Sequence, residues 1–300
     1  MPSSRAAKFA AMSIAILMVA ALAAPATGQE KPTAAAKQKH MMRFSFKAGT
    51  VRHTVMEQDL IMTVSMGKQE MVTKLKTTMW VTTTVKATEG NIAHIEQVIT
   101  RVKAFADGSV LKLNFDSDDE DSDPGSLVSL ASFVGKKTVM KLSDRGKAID
   151  TDLPGDETRP EAVGAELEHW MAQGLTQLPD RPIAIAEPWK LKQKVSLMPL
   201  AEAKPDAEMA YKLLAVDSGS ITVQQRLIID LDTLELPGAV KPEALSITGT
   251  SKLDLRTGTP IEGTQIMKST FDGQTKMTMH VTQTIKLASP PKKLKKPSKK

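Results

Sequence analysis

The chain has 300 residues but no cysteine, one tyrosine and three tryptophans. Without cysteine there can be no disulfide staple, thiolate metal site, cysteine nucleophile or lipid attached through a mature N-terminal cysteine. Aromatic residues are only 4% of the chain, so rings cannot fill its core. The seventeen methionines and the aliphatics must do so, and a core of unbranched thioethers is adaptable. The shortage of aromatics also argues against an outer-membrane barrel, which needs two aromatic girdles. Chemical signatures are missing as well. There is no Gly-x-Ser-x-Gly elbow, His-Glu-x-x-His helix, phosphate loop or dinucleotide glycine fingerprint. His40, His53, His94, His169 and His280 lie far apart and read as surface or rim residues. Met279 and His280 could suit copper(I), but neighbours in a strand point to opposite faces. No enzyme, cofactor or metal site is expected. A hydrolase whose carboxylates meet only in the fold would leave no local mark and stays as an alternative.

Charge is concentrated at the ends. The formal net charge is +6, yet Lys292, Lys293, Lys295, Lys296, Lys299 and Lys300 sit in the tail and Arg5 and Lys8 near the start. These exceed the net excess, so the body between them is slightly acidic and no specific nucleic-acid binding is expected. Residues 1–28 read as a signal peptide: Arg5 and Lys8 precede an apolar run over 9–24, and Ala26, Thr27 and Gly28 form a small-residue exit. That run is shorter than the ~20 residues that span a bilayer comfortably. Cleavage is therefore expected over retention as an anchor, giving an exported, periplasmic or extracellular protein with no transmembrane segment in its mature chain. Residues 29–40 read as a linker. Residues 289–300 read as a disordered lysine-rich arm that would solubilise the end or grip an anionic surface.

Between the ends the dominant signal is alternation. Met56, Leu60, Met62, Val64 and Met66 share one parity, and Met71, Leu75, Met79, Val81 and Val85 share another. Period two is the mark of a strand with one oily and one wet face. Turns are predicted at Gly67-Lys68 and Glu89-Gly90-Asn91. The run 92–105 is apolar on both parities in places, which predicts a strand covered on both faces. A further strand is predicted over 42–47, with Phe44 and Phe46 on one side. The acidic loop 116–125 falls short of a calcium loop, because Asp121 and Leu127 stand where glycine and glutamate are required. It reads as a solvated connection. A helical turn is predicted near 127–133 and a hairpin at Asp144-Arg145-Gly146.

One long helix is predicted over 158–178. Thr158 and Glu161 make a capping box, Pro160 lies in the first turn, and Pro179 ends the run. Its stripe of Val163, Leu167, Trp170, Met171, Leu175 and Leu178 would pack on the oily side of the sheet. Six further strands are predicted over 189–287. In the last of them Met277, Met279, Val281, Ile285 and Leu287 share a parity. The layout is thus a first β half over 41–155, helix and linker over 156–180, and a second β half over 181–288. Similar glycine turns at Gly90 and Gly219, and at Gly146 and Gly258, fit two related halves. The predicted fold is mainly β, with long-stranded curved antiparallel sheets forming a half-barrel or two related halves and one amphipathic helix on the apolar face.

The chain resembles a domain-of-unknown-function family of exported bacterial β-proteins. The likeness rests on Phe46-Lys47-Ala48-Gly49, Glu89-Gly90-Asn91, Asn114-Phe115-Asp116-Ser117-Asp118, Phe133-Val134-Gly135-Lys136, Asp144-Arg145-Gly146-Lys147, and Leu178-Pro179-Asp180-Arg181-Pro182 with Trp189. Ala186-Glu187 departs from the pattern, which has a glycine turn there. The resemblance implies export and a β-rich fold, and no activity or site residues. A looser likeness to periplasmic lipoprotein carriers is analogy of fold alone. The function expected is a non-enzymatic envelope protein. A lipid-like or other apolar ligand would lie in a groove lined by Met56, Leu60, Met62, Met71, Leu75, Met79, Leu167, Trp170, Met171, Met277 and Met279. The alternative is a structural or partner-binding protein with a fully packed core and the lysine tail as its anchor.

Overall fold

The computed structural model describes residues 38–109, 111–152, 176–194, 206–233, 241–273 and 276–290. The alternating runs form strands β1 (Lys39–His40), β2 (Val51–Met66), β3 (Gln69–Glu89), β4 (Ile92–Gly108), β5 (Leu113–Asp116), β6 (Lys137–Ser143) and β7 (Ala148–Asp152). After them come β8 (Ile183–Ala184), β9 (Pro188–Lys194), β10 (Asp206–Asp217), β11 (Ser220–Ile229), β12 (Lys241–Asp254), β13 (Pro260–Asp272) and β14 (Lys276–Leu287). The expected hairpin around Asp144 is β6–β7, and the helical turn is Val128–Ala131.

The two β halves are one sheet. Its order is β7-β6-β4-β3-β2-β14-β13-β12-β11-β10-β9, with β5 on the flank of β4, and β2 joins β14 in antiparallel register from Thr54↔Leu287 to Ser65↔Lys276. The chain therefore starts in mid-sheet, meanders to one edge, crosses to the other and meanders back. Among the described residues β7 and β9 do not pair, so the sheet is open.

The sheet is also strongly curled, and two adjacent residues show it. Phe44 N–H donates to the Asp144 carbonyl at 2.7 Å and Ser45 N–H to the Leu255 carbonyl at 2.7 Å. Those acceptors lie at the ends of β6 and β12, six strands apart, which would be ~29 Å in a flat sheet. Leu178 goes further. Its N–H donates to the Arg145 carbonyl at 2.8 Å, while Trp189 Nε1–H on β9 donates to the neighbouring Gln177 carbonyl at 3.1 Å. Both sheet edges thus meet at one end, joined by segments 41–46 and 176–187 instead of by a strand ladder. The short pairing of β1 with β8 belongs to the same knot.

Three expectations change. Residues 42–47 are not a strand; they cross the end of the sheet, with Phe44 buried and its ring 5.5 Å from that of Phe46. The double-sided pattern of β4 comes from a bulge and not from two covered faces. Trp80 pairs with Arg101 and Val81 with Ile99, leaving Thr100 unpaired, so the buried set switches from Ala93 and Ile95 to Val102, Ala104 and Ala106. Thr100 Oγ1 donates to the Trp80 carbonyl at the same place. Of the helix predicted over 158–178, residues 158–175 lie outside the described residues, and its expected last turn at Thr176–Leu178 is non-helical. Among the described residues the one α-helix is Val128–Ala131, and no helix there is long and apolar enough to cross a membrane.

Ala186 has φ +67°, and among the described residues it is the one non-glycine in the left-handed region. A Cβ in that region is crowded by the carbonyl that follows.

Candidate functional site

In an antiparallel sheet, paired residues point to the same side, so the register sorts the buried face into rows. One row runs Leu113, Ala106, Leu75, Leu60, Val281, Met267, Ile247, Leu227, Met209, Leu191, one residue from each of ten adjacent strands. Every member is apolar. The row nearer the knotted end holds Val102, Met79, Met56 and Ile285, and the row nearer the far end pairs Met62 with Met279.

The groove residues expected from sequence are thereby largely brought together. Met56, Leu60, Met62, Met71, Leu75, Met79, Met277 and Met279 share one face of β2, β3 and β14, with Val64 between Met71 and Met277. Met62, Met79 and Met279 are at most 3% exposed, while Met56, Met71 and Met277 are half-buried. Leu167, Trp170 and Met171 lie outside the described residues, as do the tail lysines Lys292, Lys293, Lys295, Lys296, Lys299 and Lys300.

Between the apolar rows lies a polar one that sequence reasoning passed over. It runs Ala104, Thr77, Gln58, Gln283, Gln265, Gly249, Gln225, Tyr211, Trp189. Gln58, Gln225, Gln265 and Gln283 are all buried, and so are Thr77 and Tyr211. Burial pushes the Tyr211 hydroxyl pKa up, so it stays protonated and uncharged at neutral pH. Trp189 stacks on its ring at 5.1 Å. Gln283 Nε2–H donates to Met56 Sδ, while Gln283 Oε1, Gln265 Nε2, Ser269 Oγ and Thr73 Oγ1 have no hydrogen-bond partner among the described residues. The sign was present locally: each glutamine interrupts an apolar parity, as in Met56-x-Gln58-x-Leu60 and Val281-x-Gln283-x-Ile285.

The opposite face is wet. Lys286 meets Glu57 at 2.9 Å, Lys190 meets Glu208 at 2.7 Å and Lys252 meets Asp217 at 2.7 Å. These are ion pairs in water, where salt screening and side-chain entropy leave them little net effect on stability. Such a face is unsuited to lipid contact. The acidic loop is anchored by cations: Arg101 Nε–H and Nη2–H donate to the two Asp116 oxygens, Lys103 lies 2.8 Å from Asp116, and Arg101 also meets Asp118. The Arg101 bond holds the Asp116 carboxyl far below the usual carboxylate range. Its oxygens are therefore committed to cations of the protein itself.

At the knotted end, Val51, Arg52, His53, Asp254, Arg256, Ile261 and Leu287 line a cleft of about 240 Å³. Asp254 is 2% exposed and accepts from Arg52, from the Arg256 side chain and from the Arg256 N–H. Burial alone would raise its pKa. The Arg256 and Arg52 bonds offset this and hold it below the usual range. A carboxylate with a lowered pKa contributes stability at neutral pH that is lost as pH falls through its folded-state value. Asp254→Asn should therefore cost about 1.5–3 kcal/mol at pH 7, and the deficit should shrink below pH ~4. Urea unfolding of both proteins at pH 7 and pH 3 checks this; a deficit that does not change with pH would contradict it.

No protein-family model matches the chain, and no curated protein does. Among solved structures, one reported for lipid-protein interactions in lipovitellin matches at 10% identity and TM-score 0.50, covering 84% of this chain. The chain spans 27% of the length of that protein. An outer membrane channel from Pseudomonas putida F1 aligns at 9% identity and TM-score 0.26, over 87% of this chain and all of the channel. The translocator domain of the autotransporter NalP from Neisseria meningitidis aligns at 10% identity and TM-score 0.22, over 80% of this chain and 88% of that domain. The lipovitellin match shows a shared large-sheet fold.

Proposed function

We propose that the chain is an exported, non-enzymatic envelope protein that holds an apolar ligand against the buried face of its curled sheet. The observation that carries this is the unbroken apolar row from Leu113 to Leu191, backed by methionines, on a sheet whose other face is charged. Methionine side chains repack around apolar ligands of varied shape at low cost. The interrupted ladder between β7 and β9 is where such a ligand would enter without breaking strand pairing. Lipovitellin, a protein studied for its lipid interactions, offers a fold-level parallel. Export rests on the leader over residues 1–28.

A second reading has its own support. Met62, Met79 and Met279 are as buried as packed core, which suits a structural envelope protein attached through its basic tail. Native mass spectrometry and solvent extraction of the purified chain separate the two. Co-purified lipid, or saturable uptake of a fluorescent fatty-acid probe, is expected for the carrier; a dry protein that takes up no probe would leave the structural reading.

A further inference from the structure

The glutamine belt says what kind of apolar ligand the face would take. We propose that the ligand is an uncharged lipid bearing a hydrogen-bonding group, of the acylglycerol ester-and-hydroxyl class, and that this group lies at Gln265 and Gln283. The inference rests on the carrier reading and narrows it.

Gln265 and Gln283 sit directly opposite one another on β13 and β14, each 2% exposed. Side chains so paired on one face stand within contact of each other. Among the described residues, the Gln265 amide nitrogen is a donor without an acceptor, and the Gln283 amide oxygen is an acceptor without a donor. The Gln283 amide nitrogen is already used by Met56 Sδ. Turning either amide over exchanges its oxygen and nitrogen and still leaves both kinds of unmet capacity on the pair. Ser269 Oγ and Thr73 Oγ1, also unpartnered, flank the Met62–Met279 pair in the next polar positions toward the far end.

A buried donor and acceptor held side by side between two apolar rows are matched by a molecule with a hydrogen-bonding group joined to a hydrocarbon chain. An ester carbonyl would accept from Gln265 and a hydroxyl would donate to Gln283. An anion is a poor match. The belt row holds no charged side chain, and Tyr211, its one ionisable member, is kept protonated by burial, so a carboxylate or phosphate would be buried without a counter-charge. A plain hydrocarbon would leave the amides unmet.

The test uses the full chain, freed of lipid and loaded with a pyrene-labelled alkane, which is then displaced by monooleoylglycerol, oleate or 1-octadecene. Monooleoylglycerol should displace the probe at a concentration at least tenfold below either of the others. In Gln265→Leu/Gln283→Leu that advantage should vanish while octadecene binds as well as before or better. If leucine prevents folding, judged by circular dichroism, Gln265→Met/Gln283→Met keeps side-chain length and flexibility and serves the same purpose. Uptake of the probe with no preference for the monoglyceride, or a preference that survives the double substitution because water satisfies the amides, overturns this inference alone. Failure to take up the pyrene-alkane at all overturns the carrier reading and this inference with it.

Discussion

Gly146→Ala should destabilise the protein by ~2–5 kcal/mol, as the sum of a left-handed backbone cost and an overpacking cost. Gly146 has φ +78°, and a Cβ there would lie 2.7 Å from Phe44 Cε2 and 2.7 Å from the Thr176 carbonyl oxygen. One neighbour is a buried ring and the other is backbone, so neither can move aside cheaply. Both belong to the knot that holds the two sheet edges together, and the damage should extend beyond the β6–β7 turn. Gly90→Ala is the control. Its φ is +59° but a Cβ meets nothing within 4 Å, so the cost should be limited to ~1–2 kcal/mol. Urea unfolding followed by tryptophan fluorescence reads both, with Trp189 reporting on the knot directly. Equal losses for the two variants would mean that the knot does not tie the sheet edges.

Met62→Ala should cost the lipid-free protein ~2–5 kcal/mol, the range for emptying a buried methionine site. Met62 is 1% exposed, and its register partners are Thr73 on β3 and Met279 on β14. Ile61, the preceding residue, faces the other way and is 44% exposed; Ile61→Ala should change stability by no more than ~0.5 kcal/mol. The contrast tests whether the strand's two faces differ as the register requires. A loss at Met62 as small as that at Ile61 would show that the methionine side is not packed. On the carrier reading, an added apolar ligand should restore part of the Met62→Ala loss, because a molecule that binds only the folded state stabilises it.

Much of the fold was legible because β-structure writes a local code. The alternation Met56-x-x-x-Leu60-x-Met62 and its counterpart in β14 need no knowledge of the partner strand, and they placed the thioethers on the correct face. The same code misled at β4, where Thr100 shifts the parity. A bulge looks, in one dimension, like a strand that is oily on both sides. Residues 42–47 misled for a related reason: Phe44 and Phe46 alternate as in a strand, but the N–H groups of Phe44 and Ser45 are claimed by the ends of β6 and β12, a hundred or more residues downstream.

Strand identity, the charged character of the outer face and the excess of methionine over aromatic side chains followed from the order of residues alone, since period two and composition are properties of the chain. The union of the two halves at β2–β14, the pairing of Arg52 with Asp254 and the alignment of four glutamines into one belt were decided only by tertiary structure. Which residue stands beside which across a sheet depends on register and curl. Those are set by long-range hydrogen bonds whose partners carry no mark of each other in the sequence.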